Sequence, residues 1–257
     1  MALLELHNLY KGFGGVQAVN RCTFSVEEGT ITGLIGPNGA GKTTLFNLIT
    51  GSYKLDQGRV LFQNKDITGF APYQVFHEGI CRTFQITREF GEMTVLENLM
   101  LVPAQQAGER LLASWLLRRK VRRQEEQVYQ KAIEVLEFVN LIHLKNEYAG
   151  NLSGGQKKLV ELARTMMANP KMILLDEPGA GVNPSLMNKL VEHIEKLRDE
   201  LGVTFLLIEH DMDLVMNLCN PVVVMSEGSK LMEGTADEVR NDARVLDAYL
   251  GGQYVAA

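Results

Sequence analysis

Gly36-Pro37-Asn38-Gly39-Ala40-Gly41-Lys42-Thr43-Thr44 decides the fold of this chain. The stretch has the pattern G-x-x-x-x-G-K-[ST], and it lies between the apolar run Ile31 to Ile35 and the helical pattern Thr43 to Ile49. Glycines let consecutive backbone N–H groups turn towards a phosphate, and the helix that follows adds partial positive charge. We therefore predict a nucleotide-phosphate loop in which Lys42 pairs with the β and γ phosphates and the Thr43 hydroxyl binds Mg²⁺.

Apolar runs typical of strands recur on both sides of this loop, and amphipathic segments separate several of them. The runs are Leu3 to Leu6, Val60 to Phe62, Met172 to Leu175, Val203 to Ile208 and Val222 to Met225. This order favours an α/β fold with a largely parallel sheet. One helix is predicted after Asn183-Pro184, which supplies an N-cap and a proline at the first helical position. Its apolar stripe is Leu186, Leu190, Ile194, Leu197 and Leu201.

Between about Glu92 and Asn151 the β-branched runs disappear and long helical patterns dominate, as in Glu125 to Val139. We expect a helical subdomain inserted into the α/β body. Within it, residues 118–123 carry five cations in six positions. A solvated helix face is the preferred interpretation of this basic run, and contact with phospholipid headgroups or an acidic partner is the alternative.

Length and composition exclude several classes of protein. A chain of 257 residues predicts one large domain or two closely packed ones. The net charge of -5 argues against a nucleic acid partner, because coating nucleic acid needs a basic surface. Cys22, Cys81 and Cys219 match no metal-ligand spacing, which indicates buried thiols in a reducing compartment. No apolar run approaches the roughly 18 residues of a membrane-spanning helix, and the N-terminus does not resemble a signal peptide.

A second acidic element follows the apolar run Met172 to Leu175. Asp176 is suited to hold Mg²⁺ through water, and Glu177 is suited to orient or deprotonate an attacking water. Taken alone, an Asp-Glu pair after a strand is more often a loop start or a helix cap. Next to a complete phosphate loop the functional interpretation is preferred. Guanine specificity is not predicted, because Asn64-Lys65-Asp66 has its aspartate one place too early for the usual base-reading motif.

The motif that narrows the class of nucleotide-binding protein is Leu152-Ser153-Gly154-Gly155-Gln156. A serine N-cap followed by glycines is a common helix start, which is the simpler interpretation. With the phosphate loop and the Asp-Glu pair, however, the motif resembles the LSGGQ signature of the ATP-binding-cassette family, and the resemblance runs from about Leu4 to Gly251. In that family two ATP-binding subunits pack head to tail. The resemblance implies that Ser153, Gly154, Gly155 and Gln156 contact the γ-phosphate bound by the other subunit.

The resemblance also implies the domain plan and three further site residues. It predicts a single nucleotide-binding domain over residues 1–257, with a P-loop NTPase core of residues 1–91 and 152–257, an N-terminal antiparallel β part, and a helical subdomain of about 92–151. Phe13 matches the aromatic that stacks on adenine, although an ordinary half-buried aromatic is an equal alternative. Gln85 matches the glutamine that reaches Mg²⁺ and the attacking water. His210 matches the histidine that contacts the γ-phosphate.

One loop departs from the family pattern. After Asp176-Glu177-Pro178 the family usually continues to an aspartate, whereas this chain has Asn183. Asparagine keeps the helix-capping ability of aspartate and loses its charge. We expect the helix cap to survive. Asn183 supplies no negative charge for communication between the two ATP sites.

Within the family, this chain looks most like the ATP-binding subunits of branched-chain amino acid importers. In transporters of this family the segment after Gln85 lines a groove for a short helix of the membrane permease, and the candidate anchors here are Ile86, Phe90 and Met93. An equal alternative is that these residues cap the core of the helical subdomain. The implied partners are integral-membrane permease subunits, a second ATP-binding subunit and, indirectly, a solute-binding protein, at the cytoplasmic face of the cell membrane. Urea, amides and lipopolysaccharide are alternative cargoes. A soluble cassette ATPase of DNA repair or translation is the rival from another class.

Overall fold

The computed structural model of the chain describes residues 1–83, 89–104, 106 and 118–251, without the side chains of the last two. These residues belong to two compact units. Unit 1 is drawn from Met1–Arg82, Lys171–Gly179 and Ile194–Ala257, and unit 2 from Thr83–Pro170 and Ala180–His193. The domain boundaries implied by the resemblance stay a prediction.

All strands named here lie in unit 1 and form two sheets. Their bounds are β1 Ala2–Phe13, β2 Val16–Glu27, β3 Ile31–Ile35, β4 Gln57–Phe62, β5 Lys65–Asp66, β6 Ile80–Arg82, β7 Met172–Asp176, β8 Thr204–Ile208, β9 Val222–Ser226 and β10 Ser229–Gly234. The first sheet is antiparallel and has the order β2-β1-β4-β5. The second has the order β10-β9-β3-β8-β7-β6, and each of its pairs is parallel except β10 with β9.

The parallel sheet is buried on both faces. Every residue of β3, β7 and β8 is buried, as expected for strands covered on both sides. The three strands are aligned at their carboxyl ends, since Ile208 of β8 pairs with Leu34 of β3 on one side and with Asp176 of β7 on the other. The carboxyl ends of β3, β8 and β7 therefore lie next to one another at one edge of the sheet.

A continuous apolar core fills unit 1 between the two sheets and the first helix. It contains Leu4 and Phe24 from the antiparallel sheet, Phe46 from the helix, and Leu174 and Ile208 from the parallel sheet. Phe46 has no exposed surface. Burial of a side chain of this size contributes about 1.5–3 kcal/mol, so the helix after the phosphate loop is held by its own apolar face.

The helices connect the strands and build most of unit 2. They are α1 Lys42–Ile49, α2 Pro72–Glu78, α3 Val95–Met100, α4 Arg118–Phe138, α5 Gly154–Met167, α6 Pro184–Leu201, α7 Met212–Leu218, α8 Ala236–Asn241 and α9 Ala243–Gly251, with short 3-10 helices at Ile142–Leu144 and Ala149–Asn151. None of the helices in the described ranges is both long enough and apolar enough to span a bilayer.

In unit 2, α3, α4 and α5 pack on one another. Buried Asn98 on α3 organises the preceding loop, because its amide donates to the carbonyl oxygens of Phe90 and Thr94 at 3.0 and 2.9 Å and its Oδ1 accepts from the Phe90 N–H at 2.9 Å. The predicted apolar stripe of α4 is buried, as expected: Val128, Ala132, Val135, Leu136 and the adjoining Val139. The basic run 118–123 forms the first turns of α4, and its five cationic residues are exposed.

The predicted α/β fold with a mostly parallel sheet and an N-terminal antiparallel part is confirmed. The three cysteines are buried free thiols, as expected. One detail was wrong: Leu201 was assigned to the buried stripe of its helix, but it is the last helical residue and 62% exposed. The other turns of this stripe, Leu190, Ile194 and Leu197, are buried.

Candidate active site

The phosphate loop and the charged groups of the site in unit 1 come from adjacent strands. Gly36 follows β3, His210 is the second residue after β8, Asp176 ends β7, and Arg82, which was not predicted, ends β6. Because these strands are neighbours in the order β3-β8-β7-β6, the groups lie along one edge of the sheet. Crevices at the carboxyl ends of parallel strands are the usual ligand sites of open α/β sheets.

The phosphate loop needs glycine at two positions for steric reasons. Gly36 has φ 148° and Gly41 has φ 96°, a region that L-residues with side chains rarely adopt. A Cβ atom on Gly36 would lie 2.1 Å from the Met225 carbonyl oxygen, and one on Gly41 would lie 2.2 Å from the Ala18 carbonyl oxygen. Gly39 has φ 81° but open space around it. The two ends of the loop are therefore held close to neighbouring backbone, while Asn38 and Gly39 between them are exposed.

The start of α1 is suited to bind an anion. Gly41, its N-cap, offers no side-chain acceptor to the first N–H groups, and the first turn holds no acidic residue. An uncapped helix N-terminus with positive dipole favours phosphate. Thr43 in the first turn is exposed and Thr44 is half-buried, so the Thr43 hydroxyl is accessible to a hard cation.

Lys42 is folded back onto the loop. Its Nζ donates to the Gly36 carbonyl oxygen at 2.7 Å and to the Pro37 carbonyl oxygen at 3.1 Å, and the residue is buried. Burial lowers the pKa of the Lys42 ammonium, while the carboxylates of Glu177 and Asp176 act in the opposite direction. Within the described part of the chain, the hydrogen-bond acceptors of this buried cation are neutral carbonyl oxygens, so the ammonium is well suited to meet a phosphate.

Asp176 is held by an arginine that the sequence reasoning did not single out. Its Oδ2 accepts from Arg82 Nη2 at 2.6 Å, and Arg82 Nη1 donates to Asn47 Oδ1 on α1 at 2.6 Å. The signal was available, because a charged residue inside the buried strand Ile80–Arg82 requires a partner. The carboxylate and the Thr43 hydroxyl are hard oxygen ligands of the kind that Mg²⁺ prefers, so the residues present fit the predicted metal.

Glu177 and His210 are in contact across the ends of β7 and β8. His210 Nε2 and Glu177 Oε1 are 2.9 Å apart, and the histidine side chain is 45% exposed. Glu177 also has a left-handed backbone with φ 49°, and its N–H donates to the Ile208 carbonyl oxygen at 2.9 Å. A non-glycine residue in this region costs on the order of 1 kcal/mol, and such residues cluster at active sites.

Glu209 is a second buried charged residue that sequence reasoning passed over. It is 5% exposed, its Oε1 accepts from the Gly179 N–H at 2.7 Å, and its Oε2 accepts from the His210 N–H at 3.1 Å. It therefore fastens the loop after Glu177 to the end of β8. Like Arg82, it was visible in the sequence as a charge directly after an apolar strand.

Phe13, the candidate adenine contact, ends β1 and is 43% exposed. Its ring lies edge-on to Tyr53 with 5.3 Å between centroids, and Lys11 Nζ lies 5.2 Å from the Phe13 ring centroid. The Lys11 ammonium is fixed by Asp56 at 2.7 Å. The result is a solvent-facing aromatic platform with a nearby cation, and Tyr53 is a member that the sequence alone did not reveal.

The signature motif lies in unit 2 and caps α5. Ser153 is the N-cap and forms a capping box, in which its Oγ accepts from the Gln156 N–H at 3.4 Å and its own N–H donates to Gln156 Oε1 at 2.9 Å. A Cβ on Gly155 would lie 1.8 Å from Leu186 Cδ2, whereas one on Gly154 would meet open space. Local packing thus accounts for Ser153, Gly155 and Gln156. Gly154 alone has no local steric reason.

The remaining predicted residues have mixed outcomes. Gln85 and Ile86 lie outside the described residues. Phe90 is 50% exposed, with the Arg164 guanidinium 5.4 Å from its ring centroid, and Met93 is partly buried. The expected cap of α6 is confirmed, since Asn183 Oδ1 accepts from the Leu186 N–H at 2.9 Å.

Comparison with known proteins decides the family. The profile of the family described as "ABC transporter" matches residues 19–180. A probable branched-chain amino acid transport ATP-binding protein, LivG of Methanocaldococcus jannaschii, is 46% identical over 98% of this chain and 98% of its own. The high-affinity branched-chain amino acid transport ATP-binding protein BraF of Pseudomonas aeruginosa is 42% identical over 97% of this chain and 98% of its own. The chain belongs to the ABC transporter family.

A solved ATP-binding cassette resembles this chain in fold as well as in sequence. The ADP conformation of MJ1267, an ATP-binding cassette of an ABC transporter, superposes with a TM-score of 0.83, 44% identity and coverage of 98% of this chain and 99% of that one. The chain is thus an ATP-binding cassette ATPase of a transport system. Its P-loop, Asp176-Glu177 pair and LSGGQ helix are the parts by which the family was identified from sequence.

A second profile, described as "Branched-chain amino acid ATP-binding cassette transporter", matches residues 229–255 of this ABC ATPase. Within that stretch, burial raises the pKa of the Tyr249 phenol on α9, and the Gly36 backbone acts in the opposite direction. The C-terminal helix therefore lies close to the first glycine of the phosphate loop, a proximity that no motif in the sequence predicted.

Proposed function

We propose that the chain is the ATP-hydrolysing subunit of an importer for branched-chain amino acids. The observation that carries the proposal is the profile match at residues 229–255, because it covers a segment outside the general cassette match at 19–180. Full-length relatives named LivG and BraF support the same cargo. The cargo itself contacts other subunits of such a system.

In the proposed reaction, ATP binds at the start of α1 and Lys42 leaves its two carbonyl partners to pair with the β and γ phosphates. Thr43, Gln85 and Asp176 would hold Mg²⁺, which when bound neutralises charge on the phosphate oxygens. Glu177 orients the attacking water and accepts its proton, and His210 holds the Glu177 carboxylate and reaches the γ-phosphate. The 2.9 Å contact between His210 and Glu177 supports this pairing of roles.

The second half of each site comes from another ATP-binding subunit. Ser153 and Gly154 are exposed at the start of α5, where the helix dipole is positive. Packed head to tail, two subunits would each present Ser153, Gly154, Gly155 and Gln156 to the γ-phosphate of the other. ATP then stabilises the closed dimer and hydrolysis opens it, which drives the permease between its two states.

The permease partner would dock on the loop that carries Phe90 and Met93. Phe90 offers an exposed apolar ring on a loop that Asn98 holds rigid, as a helix-in-groove contact requires. This contact would keep the subunit at the cytoplasmic face of the membrane. The other partners in the proposed assembly are a second ATP-binding subunit and, indirectly, a solute-binding protein.

The cargo is tested by uptake in cells that lack the gene. Deletion should abolish saturable uptake of radiolabelled leucine, and expression of the wild-type chain should restore it, whereas Glu177→Gln at equal abundance should not. Uptake of urea and of short-chain amides serves as the internal control. Normal leucine uptake in the deletion strain, with loss of another cargo, contradicts the proposal.

Coupling is tested with Phe90→Ala. The variant should hydrolyse ATP normally as an isolated subunit, because the Phe90 ring is exposed and has no assigned role in ATP binding or hydrolysis. It should fail to co-purify with the permease and should lose most leucine uptake. Tyr73→Ala, which removes another exposed aromatic ring, is the matched control. Full uptake by Phe90→Ala would exclude this loop as the docking site.

A further inference from the structure

Arg82 joins three groups of unit 1 in one buried contact. One arm of its guanidinium donates to Asp176 on β7 and the other to Asn47 on α1, each at 2.6 Å. The Arg82 Cζ lies 5.6 Å from the Phe46 ring centroid, which places the guanidinium against a core aromatic. The side chains of Arg82 and Asp176 are 9% and 7% exposed. The pair is therefore shielded from solvent and salt far better than a surface ion pair.

Burial gives this contact a consequence that a surface pair lacks. An unpaired buried carboxylate is costly, so the ion pair with Arg82 stabilises the Asp176 carboxylate and fixes its orientation. The planar fork of arginine can bridge two acceptors at once, whereas the single ammonium of lysine cannot hold the same plane. Asn47 fixes one arm, and that in turn fixes the direction of the arm that meets Asp176.

We propose that Arg82 is a positioning residue for the metal site: it holds Oδ2 of Asp176 and thereby directs Oδ1 to the Mg²⁺ that accompanies ATP. Among the described residues, Oδ1 of Asp176 has no hydrogen-bond donor of its own, while Oδ2 has Arg82. The inference rests on the proposed role of Asp176 as a ligand of that ion. Partners that hold ligating carboxylates commonly change metal affinity by about 10–100-fold when they are replaced.

The test is the Mn²⁺ affinity of the full chain saturated with a non-hydrolysable ATP analogue, measured from the electron paramagnetic resonance signal of free Mn²⁺. Arg82→Lys keeps the charge and loses the fork. We expect it to weaken Mn²⁺ binding about tenfold. Its affinity for the analogue in EDTA should stay within about twofold of wild type, because the Lys42 phosphate loop is intact. Asn47→Ala should weaken Mn²⁺ binding in the same direction by a smaller factor.

Arg59→Lys is the matched control, since Arg59 is an exposed arginine of unit 1 on β4. It should leave both affinities unchanged. The proposal is overturned if Arg82→Lys binds Mn²⁺ within about twofold of wild type or more tightly. It is also overturned if Arg82→Lys loses the analogue in EDTA by the same factor, because that pattern belongs to a merely structural residue. Should Arg82→Lys fail to fold, Asn47→Ala with an unchanged melting temperature decides by the same criteria.

Failure of this inference is distinguishable from failure of the proposed function. If the Asp176→Asn variant binds Mn²⁺ with the same affinity as the wild-type chain, then Asp176 is not a metal ligand and the proposed reaction is wrong at that residue. If Asp176→Asn weakens Mn²⁺ binding and Arg82→Lys does not, only the positioning role is lost. Leucine uptake tests the cargo separately from both.

Discussion

Single residues at the ends of β7 and β8 bring the reacting groups together. Glu177 is the residue after a fully buried strand, and its left-handed backbone turns the chain sharply there. The sharp turn leaves its carboxylate in contact with His210 instead of continuing the strand direction. The backbone strain is borne by the hydrogen bond from the Glu177 N–H to Ile208 and by the packed strands on either side.

Glu177→Gln should lower the ATP hydrolysis rate by about 10²–10⁴-fold, because the amide cannot accept a proton from water. ATP affinity should change little, since Lys42 and the start of α1 remain. Phosphate release and binding of a fluorescent ATP analogue measure the two quantities. Glu200→Gln, an exposed glutamate of α6, is a control of the same chemistry. Normal turnover by Glu177→Gln would remove the residue from its assigned role.

Phe13→Ala should weaken ATP binding by roughly 5–100-fold, the range that loss of one base-stacking contact gives. The maximal hydrolysis rate should stay the same, because the proposed role of the ring is to stack on the base and not to contact the phosphates or the attacking water. A rise in KM at constant kcat is the expected signature. Tyr73→Ala controls for the loss of an exposed aromatic, and a fall in kcat without a change in KM would contradict the stacking role.

At the scale of elements, the signature helix α5 shows why a motif can have two reasons at once. The capping box of Ser153 and Gln156 satisfies backbone N–H groups at the helix start. Gly155 lets α5 approach Leu186 of α6 more closely than any side chain would allow. Local capping and packing therefore account for the same residues that the proposed ATP contact requires. Gly154 is the exception, because local packing gives no reason for it.

Gly154→Ala and Gly155→Ala should therefore behave differently. Gly155→Ala forces Leu186 to move and should lower the free energy of unfolding by about 1–3 kcal/mol in urea melts. Gly154→Ala should leave that free energy within about 1 kcal/mol, since alanine is favoured in a helix and has space there. If the motif meets ATP across a dimer, Gly154→Ala should still lower hydrolysis about tenfold or more. A Gly154→Ala variant with normal hydrolysis would argue for a capping role alone.

Elements were predictable where local sequence decides them. The strands β3, β7 and β8 are largely apolar in sequence and fully buried, and α1 follows a glycine-rich loop with the pattern of a phosphate loop. The contacts between elements were less accessible. Arg82 and Glu209 read as single charges beside apolar strands, and their partners, Asn47, Asp176 and Gly179, are distant in sequence. Such pairings follow from strand order, which periodicity alone does not give.

At the scale of the whole molecule, burial makes all three cysteine thiols unreactive. Burial raises the pKa values of Cys22, Cys81 and Cys219 to about 12. Since the thiolate is the reactive form, the native chain should react with a thiol-specific disulfide reagent at pH 8 only as fast as it unfolds. In guanidinium chloride three thiols should react at once. Rapid reaction of the native chain would contradict the burial.

The same thiols set the direction of one pH effect. The folded-state pKa is raised above the unfolded value of 9.0, so the unfolded chain binds fewer protons between these values. Their contribution to stability is complete below pH 9 and is lost as the pH rises towards 12. Urea melts at pH 8 and pH 10 should therefore give a lower free energy of unfolding at pH 10. Cys→Ser at each position tests how much of the change belongs to the thiols.

The strand order also has a consequence for synthesis on the ribosome. β3, which leads into the phosphate loop, lies between β8 and β9 in the sheet, and both of these strands come much later in the sequence. During translation the buried residues Ile31 to Ile35 leave the ribosome long before either neighbour exists. The nucleotide site therefore assembles only after β8 and β9 have been synthesised, and until then a strand that is fully buried in the fold has to be kept from pairing with other chains.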